Sequence, residues 1–263
     1  MLQSLTAVQF IRMLSAGKTA PMFCGCVDSH GQAVGEYVVK LLGRASDGNR
    51  GALLELMASR LAAHFGILIP EPAAVIIEPD FVELLVERFP GRAEVFRANE
   101  GLNFGSKYLN PVILWPVGKH LPDAMFAAAV DIFSFDALIQ NPDRRSENPN
   151  LFTSADNMYV YDHEMGFAFL FDILPSDEPW ILGHANCNYL KNHALFSGLR
   201  AKEIDMTHFR ERLEALTDAV LAEIRNEIPC EWMHADLDKI EAHLRKVRGH
   251  AAEFALQVKG RLL

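Results

Sequence analysis

The stretch Asn141-Pro142-Asp143-Arg144-Arg145-Ser146-Glu147-Asn148-Pro149-Asn150-Leu151 gathers residues able to do chemistry. It sets Asp143 and Asn148 five positions apart in a loop, and its two prolines push the residues before them into extended backbone. Further on, Asp162 stands at the end of a short strand predicted over Met158-Tyr159-Val160-Tyr161, and His163-Glu164-Met165-Gly166 follow it. Two acids and an amide converging from a loop and a strand end suit a divalent cation with bound phosphates, because Mg²⁺ prefers oxygen ligands and keeps some waters. Phosphoryl transfer needs such a site, together with a fixed cation on the nucleotide phosphates. Lys40, in an apolar strand, and Glu55, in a helix, supply that cation and the acid to steady it.

Each of these residues has an ordinary reading when taken alone. Lys40 reads as a strand lysine snorkelling from the core edge and Glu55 as an exposed helix residue. Asp143, Asn148 and Asp162 read as residues that cap turns. Arg144 and Arg145 either neutralise phosphate charge or hold the loop to nearby acids, and His163 reads as a hydrogen-bonded loop histidine. It is the joint order and spacing that favours chemistry.

The elements that must position these residues follow from periodicity. Leu5, Val8, Phe10, Ile11 and Leu14 recur at near-helical spacing and predict a short amphipathic helix over 4–14. Pro21 to Asp28 and Glu36 to Leu42 predict an antiparallel pair of strands around the turn Asp28-Ser29-His30-Gly31, with Lys40 inside the second. Residues 51–65 form a strong helix closed by Gly66, Ala73 to Ile77 a strand, and Phe81 to Phe89 a helix with Asp80 as cap. Gly101 to Leu109 reads as irregular or extended. From Pro122 onward the pattern is mainly helical, over 123–139, 204–227 and 233–258, and Pro111, Pro116 and Gly118 mark a boundary. The expected fold class is α+β: a small mixed α/β lobe over 1–115 and a larger helical lobe over 116–263.

Composition narrows the function. The 263 residues carry 25 basic and 34 acidic side chains, a net charge of −9, with no basic run to bind nucleic acid. Met1 to Leu14 lacks the charged and apolar regions of a signal peptide, and no apolar stretch is long enough for a membrane span. A cytoplasmic protein is expected, with Cys24, Cys26, Cys187 and Cys230 as reduced thiols. His184, Cys187 and His193 match no familiar zinc spacing. Gly17-Lys18-Thr19 is not a P-loop, because Arg12 stands where the pattern needs glycine and the flanking elements are in the wrong order.

A strand lysine, a helix glutamate, a loop with Asp and Asn five apart and a strand-end Asp follow the order of parts in protein kinases. The wording differs: no His-Arg precedes Asp143, Gly-x-Gly-x-x-Gly is absent, and Asp162 is followed by His163. With those departures the chain resembles the HipA-like kinases, in particular their shorter single-chain branch. The likeness rests on Tyr37-Val38-Val39-Lys40, Leu54-Glu55-Leu56, Phe65-Gly66-Ile67, Ile69-Pro70-Glu71, Asn103-Phe104-Gly105-Ser106-Lys107-Tyr108-Leu109, the Asn141 to Leu151 loop, Tyr161-Asp162-His163, His193-Ala194-Leu195 and Ile228-Pro229.

The resemblance implies a bilobal kinase fold using Mg·ATP. Lys40 would contact the α/β phosphates and pair with Glu55, Asn148 and Asp162 would hold Mg²⁺, and Asp143 would accept the proton of the attacking hydroxyl. Two loops compete to cradle the phosphates, Ser15-Ala16-Gly17-Lys18-Thr19 and the Asp28 to Gly31 turn. The adenine would lie near Asn103 to Tyr108, against Phe104, Gly105 and Ser106, with backbone groups as its hydrogen-bond partners. Some family members are serine kinases that act as toxins beside a neutralising protein partner, so the acceptor expected here is a Ser or Thr hydroxyl on a protein. A small-metabolite kinase on the same fold, or an inactive nucleotide-binding module working through protein contacts, are the alternatives.

Overall fold

The apolar positions of residues 4–14, whose spacing predicts a helix, lie on a strand, β1 (Gln3–Met13). The computed structural model describes residues 1–14, 21–43, 48–116, 118, 120–173, 176–183 and 185–263. In it β1 pairs antiparallel with β2 (Met22–Val27), and the register slips between Ala7 and Gln9 and again between Phe10 and Arg12. Each bulge adds one residue, so the core-facing positions run Leu5, Ala7, Phe10, Met13. That spacing imitates a helix although the backbone is extended.

Two compact units divide the described chain: Met1–Leu56 with Pro70–Asn110 and Glu227–His234, and Met57–Ile69 with Pro111–Asn226 and Ala235–Leu263. The first is built on a closed barrel in which β1, β2, β3 (Ala33–Val39), β5 (Gly101–Lys107) and β4 (Pro72–Ile77) follow one another. Parallel pairing of β1 with β4 closes it. Gly101 to Leu109, whose pattern reads as irregular or extended, is mostly β5. Its interior is filled by Leu5, Met22, Cys24, Tyr37, Val39 and Val75, and by Phe81 and Leu85 of α2 (Pro79–Arg88). Gly105 leaves room for the Val75 side chain on the paired strand, since a Cβ there would come within 2.6 Å of it. α1 (Gly48–His64) ends as expected at Gly66, with φ of 76° and its N–H on Ala63. A short α3 (Ala93–Arg97) precedes β5.

In the second unit α4 (Phe126–Leu138) is largely apolar, Asp131, Ser134 and Asp136 apart, and buried along most of its length, as a central helix must be. The unit also holds a small sheet ordered β6 (Ile113–Leu114), β7 (Leu151–Ser154), β8 (Asn157–Val160), and the helices α5 (Phe196–Leu199), α6 (Thr207–Glu214), α7 (Asp218–Asn226), α8 (Asp236–Gly249) and α9 (Ala251–Leu262), of which β8, α5, α6 and α9 contact α4. The helix expected over 204–227 is split into α6 and α7 because the Thr217 hydroxyl accepts the N–H of Val220 and starts a new helix. That over 233–258 is split at Gly249 and His250, where Trp180 stacks on the imidazole at 3.5 Å. No helix among the described residues is long and apolar enough to cross a membrane.

His243 of α8 ties this unit together. Its Nε2 donates to the carbonyl of Leu138 at 2.8 Å, satisfying an orphan carbonyl at the end of α4, and its ring stacks on Phe169. Burial pushes its pKa down to about 4, opposed by the Leu138 hydrogen bond and assisted by Lys246. The unfolded chain therefore binds a proton below the ordinary histidine value of about 6.5 that the folded chain refuses, and stability falls as pH drops through that window. Between pH 7.5 and pH 5 this one group removes about 2 kcal/mol. Urea titrations at the two pH values should show that loss, and His243→Gln, which can still donate to Leu138, should be about 2 kcal/mol less pH-sensitive.

Candidate active site

In the barrel unit, strand alternation decides where Lys40 goes. Tyr37 and Val39 point into the core, so Val38 and Lys40 face outward. Lys40 lies one residue beyond β3 instead of within it, yet its N–H still bonds the Phe104 carbonyl at 2.9 Å, which extends the pairing with β5. Its ammonium forms an ion pair with the carboxylate of Glu55 on α1. Glu55 is 2% exposed and is therefore no ordinary surface helix residue. Lys40, Asn103, Phe104 and Trp232 line one hollow of this unit.

Of the residues expected near the adenine, Phe104 lines that hollow, whereas Gly105 packs against Val75 and Ser106 sits in the sheet opposite Val38 and Pro72. Ser15, Gly17, Lys18 and Thr19 lie outside the described residues, as does His184. The competing turn is closed on itself: the Asp28 carboxylate accepts the N–H groups of His30 and Gln32, each at 2.9 Å, which holds its pKa below the usual carboxylate range. Those amides already serve an anion belonging to the turn.

In the helical unit the β7–β8 hairpin sets the geometry. Leu151 pairs with Val160, and the N–H of Tyr161 continues the ladder to the Asn150 carbonyl at 3.2 Å. The segments holding Asn148 and Asp162 therefore leave the same end of one hairpin. Asp143 Oδ2 accepts the side-chain amides of Asn148 at 2.9 Å and Asn150 at 3.1 Å, and Oδ1 accepts from Arg145 at 3.3 Å. An Asn148 amide that gives its N–H to Asp143 turns its oxygen elsewhere, toward any cation it would ligate. Asp162 adopts φ of 59°, a region side chains other than glycine rarely enter.

Beneath the loop is a polar cluster that sequence reasoning missed. Asp136, on α4 and without solvent exposure, accepts from Arg144 Nε at 2.5 Å, His193 Nε2 at 2.9 Å and Asn141 Nδ2 at 2.9 Å. Burial pushes its pKa up, but the charge of Arg144 and the hydrogen bond from His193 outweigh burial and hold it well below the usual range. His193 Nδ1 accepts the N–H of Leu195, so Nε2 carries the proton given to Asp136 and the ring is neutral. Burial lowers its pKa, in accord with that neutral form. Asn141 relays the contact onward, its Oδ1 accepting the N–H of Asp143 at 3.1 Å. The available signal was an acid set among apolar neighbours in Phe133-Ser134-Phe135-Asp136-Ala137-Leu138, where a buried charge requires a partner.

Comparison with known structures places the fold among the kinases. A Helicobacter pylori proinflammatory kinase, CtkA, aligns over 100% of this chain and 99% of its own, with a TM-score of 0.56 at 10% sequence identity. A family model described as HipA-like kinase matches residues 7–256, and the chain belongs to that family. No match was found among curated proteins.

Removing the carboxylate charge at Asp136 strands a buried guanidinium. Asp136→Asn should therefore lower stability by about 3–5 kcal/mol, read as a urea midpoint. Asp131→Asn, which removes a partner of the exposed His208, should lower it by less than about 1 kcal/mol.

Proposed function

We propose that this chain is an Mg·ATP-dependent phosphotransferase that moves the γ-phosphate to a hydroxyl, with the bilobal arrangement of protein kinases. Membership in a kinase family supports phosphotransfer as its class of chemistry. The observation that carries the finer reading is Asp143: a partly exposed carboxylate held by two amides, at the end of the hairpin whose other strand leads to Asp162.

Lys40 binds the α/β phosphates, and Glu55 keeps its ammonium extended toward them. Asp143 accepts the proton of the attacking hydroxyl as its oxygen bonds to the γ-phosphorus and the bond to the β,γ-bridging oxygen breaks, releasing ADP, with Asn148 and Asn150 fixing the Asp143 carboxylate plane. The oxygen donors of Asn148 and Asp162 fit Mg²⁺, whose hard character suits an amide and a carboxylate and leaves positions for phosphate and water. When bound, the ion screens phosphate charge and orients the transferred group. On family likeness the acceptor is a Ser or Thr hydroxyl of a protein.

Mg·ATP at 100 times its dissociation constant should stabilise the folded protein by about 2.7 kcal/mol, a plain rise in melting temperature, and Asp162→Ala should abolish that rise. A folded wild type that does not shift overturns the reading. Asp143→Asn should keep the shift while lowering γ-phosphate transfer by about 10²–10⁴-fold, measured with radiolabelled ATP.

A further inference from the structure

Arg144 is the charged group whose placement the proposed chemistry leaves unexplained. Its side chain has no solvent exposure, so it does not meet a substrate. Its guanidinium reaches acceptors on three segments. On α4 it donates to Asp136 Oδ2 at 2.5 Å and Oδ1 at 3.4 Å. On its own loop it donates to the carbonyls of Asn150 at 2.5 Å and Pro149 at 3.4 Å. Beyond β8 it donates to the Tyr161 carbonyl at 3.4 Å and to His163 Nε2 at 3.0 Å.

We propose that Arg144 is the positioning residue of the cation site, setting the spacing and orientation of Asn148 relative to Asp162. The inference rests on the reading that those two residues hold the ion. Its acceptors adjoin both of them: Pro149 and Asn150 directly follow Asn148, and Tyr161 and His163 stand on either side of Asp162. Asp162 is held at a left-handed φ that an unrestrained chain avoids, so its neighbours must be tied down, and one guanidinium ties both.

The chemistry suits arginine alone. Its five donors lie in one rigid plane and reach in several directions at once, whereas lysine offers three donors on a single nitrogen. Because arginine can only donate, His163 Nε2 must accept, and the His163 proton sits on Nδ1. A guanidinium beside a cation site would repel the ion, and the buried Asp136 carboxylate cancels that charge. Arg145 differs in every respect, being half-exposed and reaching Asp143 alone among the contacts described for its side chain.

The test uses the full chain with Mn²⁺ as the probe, titrated by EPR in the presence of a non-hydrolysable ATP analogue, alongside steady-state kinetics. Arg144→Lys should raise the Mn²⁺ dissociation constant at least tenfold and lower kcat, while the KM for ATP stays within twofold. His163→Leu, which removes one acceptor, should weaken Mn²⁺ at least threefold, and His163→Gln, which restores an acceptor, should return it to within twofold of wild type. Folded Arg144→Lys protein with unchanged Mn²⁺ affinity overturns the positioning role. If Arg144→Lys does not fold, unchanged affinity in folded His163→Leu overturns it instead. A wild type that takes no Mn²⁺ beside the analogue overturns the assignment of Asn148 and Asp162 itself, an outcome visible before any variant is made.

Discussion

The ion pair between Asp136 and Arg144 is the constraint on which the helical unit's loop depends. Both side chains are removed from water, Asp136 on the largely apolar α4 and Arg144 on the loop that follows it, so neither charge is tolerable without the other. Being buried makes the pair directional as well as obligatory. Each remaining lone pair and N–H must find a partner of definite geometry, and those partners are the backbone and side chains of the loop above. A loop with two prolines and few apolar residues has no core of its own to hold it. Its order is borrowed from a charge placed one layer down.

The barrel unit solves a similar problem with different means. A continuous β-ladder carries the backbone past β3, and alternation alone sends Lys40 outward while Val39 stays in the core. The acid that meets it is the more deeply buried partner, 2% exposed against 13% for the lysine. The carboxylate is thus the fixed member and the ammonium the accessible one. In the other unit the arginine is fully enclosed, as befits a group that organises its neighbours without meeting solvent.

The geometry was legible in the sequence where short-range chemistry dictates it. Asp143 and Asn148, five apart between prolines, are hydrogen-bonded as a turn of that length permits, and Gly66 ends α1 where a left-handed residue is needed. Bulges defeated periodicity in β1, because an extra residue at two points turns a two-residue repeat into something close to a helical one. The split of α6 from α7 was hidden in Thr217, whose hydroxyl competes with the backbone only once tertiary packing lets a second helix start there. Asp136 and His193 are 57 positions apart, and nothing local in either stretch names the other. At Gly105 the absence of a side chain answers to Val75 on the neighbouring strand, a constraint that no local pattern announces.

The make-up of the barrel unit bears on how the protein is synthesised. Its first strand finds its parallel neighbour only when β4 has been made, and Trp232, which packs 6.3 Å from Phe104, comes from a segment beyond residue 226. Pairings across such sequence distance form late, after the loops between them have closed. All five barrel strands are made by residue 107, so a nascent chain can close its sheet while the segment carrying Trp232 is still to be synthesised. The unit that begins first is thus completed late, and the apolar ground around Phe104 that Trp232 covers is what a chaperone would need to shield in the interval.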